Sequence, residues 1–343
     1  MATLAPYDLG EWVVAAAFVA DEPVFALADG RVEWPVTAGS VAAHDGLAGA
    51  ALALDRTHLV TGGEDGRVCR VDADGARVLI EEEGGWFDAV AAGPDGAAAA
   101  VTGRTVLALE RDGAQVRRFD HARAVEGVAF APKGKRIAAA RYDGVSLHWL
   151  NGTAKPVELE WAGPHTGVSF SPDGRYVMTT MAENALHGWR VDGKAAGGKA
   201  AGGKAAKGKG GDTGHLRMSG YPAKPKSLSW SARGRWLASD GAPAAILWPF
   251  TGKEGPQGKA PKELGARGDS MVVALACHPS EEVVAIGYRD GMVLAVRIED
   301  AAETLLRRPA GAPVTVLAWD REGHRLAFGT EAGEAGLIDV REG

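Results

Sequence analysis

Short apolar stretches separated by polar turns recur along the whole chain. A typical unit contains an apolar stretch, a polar turn, a second apolar stretch, a turn that often contains Asp-Gly, and a third stretch. The stretches alternate in polarity and are bounded by Gly, Pro and Asp, which is typical of antiparallel strands joined by hairpins. Helical periodicity is essentially absent. The pattern therefore predicts an all-β fold.

Eight copies of this unit can be aligned on their turns. The first turn recurs as AGPDG, FAPKG, FSPDG, WSARG, CHPSE and WDREG. The second turn is clearest at Asp29-Gly30, Asp65-Gly66, Asp143-Gly144 and Asp290-Gly291. With residues 193–212 set aside, the unit is roughly 40 residues long, which is the period of a four-stranded propeller blade.

The chain resembles the WD-repeat (WD40) β-propeller family over essentially its whole length. The best local matches are VSFSPDGRYVMTT, LVTGGEDGRVCRVD, RGRWLASDG and VSLHWL. The resemblance implies a single β-propeller domain over residues 1–343, and the eight units imply eight four-stranded antiparallel blades. Seven blades is the alternative, because that ring is the family's commonest form and the first and last units match least well. The last unit ends too early to supply its own outer strand, so we expect residues near Ala5 to Leu9 to complete the final blade and close the ring.

The resemblance also implies hydrogen-bonded tetrads. In the family, a His, a strand Ser or Thr, a turn Asp and a Trp form such a tetrad within each blade. His165 is about four residues too close to Phe170 to be a tetrad His, so we expect it to have another role. The partial matches are His44, Thr61 and Asp65 in the second unit, His121, Asp143 and Trp149 in the fourth, and Thr179, Glu183 and Trp189 in the fifth.

Composition narrows the setting in which such a propeller would work. The net charge of −6 argues against a chain-wide basic surface, so we expect no specific nucleic-acid partner. The two cysteines, Cys69 and Cys277, are far apart and indicate a reducing compartment. No apolar run is long enough to cross a membrane. We therefore expect a cytoplasmic protein that is monomeric on its own, and the high Ala and Arg usage suggests a bacterial source.

Residues 193–212 differ from the rest of the chain. The segment, GKAAGGKAAGGKAAKGKGGD, combines Gly, Ala and Lys without any large apolar side chain. Such a composition predicts a flexible insert, because it cannot bury enough surface to become ordered. One interpretation is a solvated loop without function. The other is electrostatic attraction to nucleic acid or an anionic membrane through Lys194, Lys199, Lys204, Lys207 and Lys209.

Enzyme chemistry has little support in the sequence. The nine His do not occur at the spacings of zinc sites, and no G-x-S-x-G motif is present. We therefore predict no catalytic residue, no metal and no cofactor. A hydrolase-like site in the central channel remains an alternative, because a propeller can gather side chains there from distant blades.

Partner binding on one face of the disc is the favoured function. Loops on a rigid scaffold commonly carry binding residues, and in WD-repeat proteins the face with the Asp-Gly turns is the usual contact surface. Trp12, Trp86 and Met271 occupy equivalent positions before the first strand of their units. For the two tryptophans, packing between blades is the alternative. The predicted contact residues for a protein or peptide are Trp12, Glu64, Trp86, Asp88, Arg141, Tyr142, Met271 and Arg289.

Overall fold

A computed structural model describes residues 3–111, 113–192, 214–252, 254–268 and 270–341. Within these ranges the chain forms 32 strands in eight four-stranded antiparallel sheets, with one short 3-10 turn at Pro94–Gly96. This arrangement is an eight-bladed β-propeller and confirms the predicted fold class and blade number. The five lysines of the predicted insert, Lys194, Lys199, Lys204, Lys207 and Lys209, lie outside the described residues.

The first strand belongs to the final blade, and each of the next four blades uses four consecutive strands. β1 is Thr3–Asp8. Blade 1 contains β2 Val13–Val19, β3 Glu22–Leu27, β4 Arg31–Trp34 and β5 Gly39–Ala42. Blade 2 contains β6 Leu47–Leu52, β7 Leu59–Gly63, β8 Arg67–Asp72 and β9 Gly75–Glu81. Blade 3 contains β10 Ala89–Ala92, β11 Ala98–Thr102, β12 Thr105–Leu109 and β13 Arg117–Asp120. Blade 4 contains β14 Val125–Phe130, β15 Arg136–Arg141, β16 Gly144–Trp149 and β17 Val157–Glu160.

The remaining blades follow the same order. Blade 5 contains β18 His165–Phe170, β19 Tyr176–Met181, β20 Ala185–Arg190 and β21 His215–Ser219. Blade 6 contains β22 Leu228–Trp230, β23 Trp236–Ser239, β24 Ala245–Pro249 and β25 Lys262–Leu264. Blade 7 contains β26 Val272–Cys277, β27 Val283–Tyr288, β28 Val293–Arg297 and β29 Glu303–Arg307. Blade 8 contains β30 Val314–Trp319, β31 Arg325–Thr330 and β32 Glu334–Asp339, and β1 is its outer strand.

The ring closes through the N-terminal strand, as predicted. β1 pairs antiparallel with β32 from Thr3 opposite Asp339 to Asp8 opposite Glu334. The observed strand begins two residues before the predicted start. At the inner end of the same junction, the Thr315 hydroxyl donates to the Val13 carbonyl at 2.6 Å. Backbone pairing and this hydrogen bond thus join the first and last blades.

The hydrophobic core lies between blades. Eight clusters of buried apolar side chains occur among the described residues, and each is shared by two neighbouring blades. Small side chains fill the second strands, as in Ala98–Ala100 and Ala138–Ala140, which are completely buried. Such residues suit positions where adjacent sheets converge and leave little room. These strands are covered on both faces, so their buried residues form continuous runs rather than an alternation of buried and exposed positions.

The Asp-Gly turns form one face of the disc. Asp65 accepts a hydrogen bond from the Arg67 backbone N–H at 3.2 Å, and Gly66 has a φ of +77°. A side chain at Gly66 would place its Cβ 2.4 Å from the Glu82 carbonyl oxygen, so only glycine fits this turn. The connections that lead from an outer strand to the next inner strand lie at the same end of the sheets. We call this end the upper face.

Bulges shape the inner strands where they leave the upper face. Six of them shift register immediately after their first residue. A bulge adds one residue to a strand and redirects its side chain. Two of these extra residues, Val273 and Thr315, line a cavity at the mouth of the central channel. The bulges therefore direct side chains toward the channel mouth.

Candidate functional site

Backbone hydrogen bonds place five of the predicted contact residues on the upper face. The backbone N–H groups of Glu64, Tyr142 and Arg289 donate to the backbone carbonyls of Gly46, Ala124 and Met271, respectively. In the first blade, the Ala28 N–H donates to the Trp12 carbonyl in the same way. Each bond joins the turn between the second and third strands to the residue just before the inner strand. The predicted residues at both positions therefore share one face.

A cavity of about 670 Å³ lies at the channel mouth on this face. Its lining comes from blades 1, 5, 6, 7 and 8 and from the connections between them. Trp12, Met271 and Arg289 are the predicted residues that it brings together. Val273, Pro313 and Thr315 form part of its wall. The cavity therefore combines an apolar wall with a guanidinium group.

Three further predicted residues lie on the upper face but do not line this cavity. Trp86 is 57% exposed and precedes the buried Phe87, and Tyr142 is exposed beneath the Arg123 guanidinium, which lies 5.7 Å from the centre of its ring. Glu64 packs against Gly46, where its Oε2 would lie 3.2 Å from an added Cβ. Since Trp12 is also 48% exposed, neither tryptophan is fully buried between blades.

Two predicted contact residues have surroundings that the sequence did not indicate. The Arg141 guanidinium donates to Glu158 at 2.8 Å and to the Ser146 hydroxyl at 2.9 Å, and its side chain is largely buried. Arg141 therefore stabilises the outer half of blade 4, because Glu158 lies opposite Ser146 on the next strand, and its contact with a partner stays a prediction. Asp88 is exposed on the upper face, and partial desolvation raises the pKa of its carboxyl.

Blade 2 contains a compact His-Thr-Asp hydrogen-bond network. His44 Nδ1 lies 3.0 Å from Asp65 Oδ1, and His44 Nε2 lies 2.8 Å from Thr61 Oγ1. With a neutral ring, Nδ1–H donates to the carboxylate and Nε2 accepts from the hydroxyl. The network fixes the connection to blade 2 against the Asp65 turn, so its role is structural.

The partial tetrad predicted in blade 4 does not form. His121 Nε2 lies 2.9 Å from His148 Nε2, whereas the nearest ion-pair contact of Asp143 is to Arg123 at 3.9 Å. Trp149 is 43% exposed at the end of β16, and His148 is buried one residue earlier. The turn before β16 is one residue shorter than in blades 2 and 5, which moves His148 into the place where a Trp was expected.

Blade 5 uses His165, contrary to the spacing argument. His165 Nδ1 lies 2.9 Å from Thr179 Oγ1, and the Glu183 carboxylate lies 2.7 Å from His187 Nε2 rather than contacting His165. His165 also packs against the buried Trp189, with ring centres 5.6 Å apart. His165 reaches the hydroxyl from the first position of β18. Proximity to Phe170 therefore did not exclude it.

Blade 6 contains a network that sequence reasoning missed. The Tyr221 hydroxyl lies 2.6 Å from Ser239 Oγ and accepts from Trp248 Nε1 at 2.7 Å. Next to it, Asp240 Oδ1 accepts from the backbone N–H groups of Lys226 and Ser227 at 2.7 and 2.9 Å. Burial raises the pKa of Asp240 to about 6 despite these hydrogen bonds. Together these contacts fix the segment from Tyr221 to Ser227.

The lysines of this segment were also missed as site residues. Lys224 and Lys226 line the channel-mouth cavity, and both are exposed. Lys224 stands six residues before Trp230, the offset that separates Trp12 from Phe18. The sequence alone therefore shows that Lys224 and Trp12 occupy equivalent positions in their units.

Comparisons with known proteins identify the architecture. The chain is similar to the crystal structure of the computationally designed Ika8 protein, with a TM-score of 0.73 and 18% identity over 97% of this chain and 98% of that one. At this identity the likeness shows the fold alone. No protein-family model matches the chain, and no curated protein matches it.

Two other kinds of feature are absent from the described residues. Over those ranges, no group of three or more His, Cys, Asp and Glu side chains is arranged to hold a metal ion. No helix in the same part of the chain combines the length and hydropathy needed to cross a bilayer.

Proposed function

We propose that this propeller is an interaction scaffold that binds a protein or peptide on its upper face. The observation that carries the proposal is the 670 Å³ cavity at the channel mouth, whose wall includes the half-exposed Trp12. Tryptophan and arginine are enriched among residues that dominate binding energy, and Arg289 lies in the same cavity. The interlocked blades present these side chains without a large ordering cost, which favours binding.

We also infer that the chain is a divergent relative of the WD-repeat proteins and works in the cytoplasm. The His44, Thr61 and Asp65 network supports the first inference, because it reproduces three positions of the tetrad implied by the resemblance. The second is supported by Cys69 and Cys277, which are both free. Unpaired cysteines are typical of reducing compartments.

Affinity purification with quantitative mass spectrometry tests the scaffold proposal. Tagged wild-type protein and a Trp12→Ala/Met271→Ala variant are compared in lysate of the source cells. We expect the double variant to lose about nine-tenths of the partner signal, because truncating central interface side chains costs about 1–2 kcal/mol or more each. Leu54→Ala is the matched control, since Leu54 is 59% exposed in a hairpin of the opposite face.

The outcome depends on folding as well as binding. Circular dichroism melting of each variant shows whether the propeller remains intact. Retention of every wild-type partner by a folded double variant would refute the upper-face assignment. A loss of the same partners in the Leu54→Ala variant would refute it too, because that change leaves the cavity untouched.

A further inference from the structure

A second cavity adjoins the one at the channel mouth. It has a volume of about 280 Å³ and lies between the outer parts of blades 5 and 6. Tyr221, Ile246 and Trp248 contribute to its wall. Pro222 lines both cavities, so the two are neighbours along one groove that leads from the channel mouth toward the rim. We call them the inner and outer cavities.

The outer cavity lies beside the short outer strand of blade 6. β25 contains only three residues, Lys262–Leu264, and pairs with three residues of β24. Ile246 is paired with Glu263, whereas Trp248 lies beyond the paired residues, and both line the cavity next to Pro243 and Pro261. The lining is mainly apolar, and Glu263 is its only charged member among the described residues. Such a site suits one large apolar side chain and disfavours a carboxylate.

The inner cavity differs from the outer one because cationic side chains line it. Lys224, Lys226 and Arg289 line it, and among the described residues none of the three forms an ion pair within 4.0 Å. Its acidic members are Asp240 and Glu331. The hydrogen bonds from the Lys226 and Ser227 backbone already engage one oxygen of the Asp240 carboxylate. The inner cavity thus has three cationic side chains and one exposed carboxylate, that of Glu331, and this excess of positive charge favours binding of an anionic group.

The segment between the cavities is held in place before any ligand arrives. The Ala223 N–H donates to the Gly241 carbonyl at 3.0 Å, and the Asn184 amide donates to the Pro222 carbonyl at 3.2 Å. The Tyr221 hydroxyl is fixed by Ser239 and Trp248. A binding surface that is already ordered loses little conformational entropy on association. The fold therefore sets the distance between the apolar outer cavity and the cationic inner cavity.

We propose that the two cavities together bind a linear peptide that carries a large apolar side chain near a carboxylate. The apolar side chain enters the outer cavity, and the carboxylate faces Lys224, Lys226 and Arg289. This inference rests on the proposed function and specifies the chemistry of its partner. A peptide fits better than a phosphate backbone, because one end of the groove is apolar.

Selection from a displayed library of random twelve-residue peptides tests the proposal. We expect wild-type protein to enrich sequences that contain Asp or Glu near Leu, Ile, Phe or Trp. The most enriched sequence is then synthesised with a fluorescein label, and its Kd is measured by fluorescence anisotropy. Failure to enrich any peptide, or enrichment of basic or purely apolar peptides, would overturn the proposal.

Two variants address the cavities separately. Lys224→Glu/Lys226→Glu is expected to raise the Kd of the selected peptide about tenfold or more, because like charges then face its carboxylate. Ala266→Trp, at an exposed position of the outer-cavity wall, should raise it about fivefold by blocking entry of the apolar side chain. Lys133→Glu/Lys155→Glu makes the same change in net charge on exposed hairpins of the opposite face and should leave the Kd within about twofold of wild type.

The result also separates this inference from the scaffold proposal. Equal affinities of Lys224→Glu/Lys226→Glu and its charge-matched control would refute the carboxylate contact. If no peptide is selected while Trp12→Ala/Met271→Ala still loses its cellular partners, the peptide chemistry is wrong and the scaffold function stands. If a selected peptide binds as expected but the cellular partners are unaffected by both cavity variants, the groove binds peptides and the main interaction surface lies elsewhere.

Discussion

Replacing Tyr221 by phenylalanine isolates the energetic contribution of the blade 6 network. The change removes the acceptor of the buried Trp248 indole N–H and the hydroxyl that lies 2.6 Å from Ser239. Ser239 keeps a contact to the Ile246 carbonyl at 3.3 Å, so the indole N–H is the main group left without a partner. Such a buried unsatisfied donor costs about 1–3 kcal/mol. We expect the free energy of unfolding to fall by about 2 kcal/mol.

Tyr176→Phe is the matched control. Tyr176 is as buried as Tyr221, but its hydroxyl lacks a hydrogen-bond partner among the described residues. Removing that hydroxyl should leave stability unchanged or raise it slightly, because a buried polar group without a partner is unfavourable.

Urea denaturation followed by circular dichroism compares the two variants with wild type. The difference between them reports on hydrogen bonds alone, since each loses one hydroxyl from a buried aromatic ring. The m-values must agree for the midpoints to be converted to free energies. Equal midpoints for Tyr221→Phe and Tyr176→Phe would refute the role assigned to the network.

Three further predictions concern ring closure, pH and blade 2. Deleting residues 1–8 removes β1 and should lower the melting temperature by several degrees and promote self-association through the exposed β32 edge, as checked by calorimetry and light scattering. Burial lowers the pKa of His148, His165 and His215 to about 4. In the unfolded chain these imidazoles bind protons at a higher pH, so the free energy of unfolding should fall as the pH drops from about 6.5 toward 4. Urea midpoints across this pH range test the prediction, and His215→Phe should flatten the pH dependence. His44→Ala should cost about 2 kcal/mol by leaving Thr61 and Asp65 without their shared partner, whereas an unchanged urea midpoint would contradict that role.

The fold was predictable because its determinants are local. Turns such as Asp65-Gly66 need a specific backbone conformation, and their regular spacing fixes the number of hairpins. The last unit supplies three strands where a blade needs four, which predicted that the N-terminal segment provides the closing strand, as β1 does. Each of these signals can be read within about 40 residues.

The details of the hydrogen-bond networks were not predictable in the same way. The blade 4 tetrad was misplaced by one residue because Ala139 pairs with Ser146 after a shorter turn, and strand register is not visible in a motif. Tyr221 follows the 193–212 insert and reaches Ser239 in the next blade. No local pattern assigns a tyrosine to that role, because the contact depends on how two blades pack.

The proposed binding site combines a part that was predictable from the sequence with a part that was not. Trp12 and Met271 were found by aligning equivalent positions, which works because every blade repeats the same geometry. The outer cavity was missed because its wall combines the connection after blade 5 with side chains of blade 6, and no local pattern shows that these segments meet.

The pairing of β1 with β32 has a consequence for how the chain folds during synthesis. β1 leaves the ribosome before all the other strands, and its partner is the last of them to be made. Blades 1 to 7 contain only sequential hairpins and are able to form as they emerge. β1 therefore has no strand partner until β32 has been made, and its backbone hydrogen-bonding groups stay unpaired within the sheet for that time. We therefore expect the final step of folding to be slow relative to hairpin formation, because closure joins segments more than 300 residues apart.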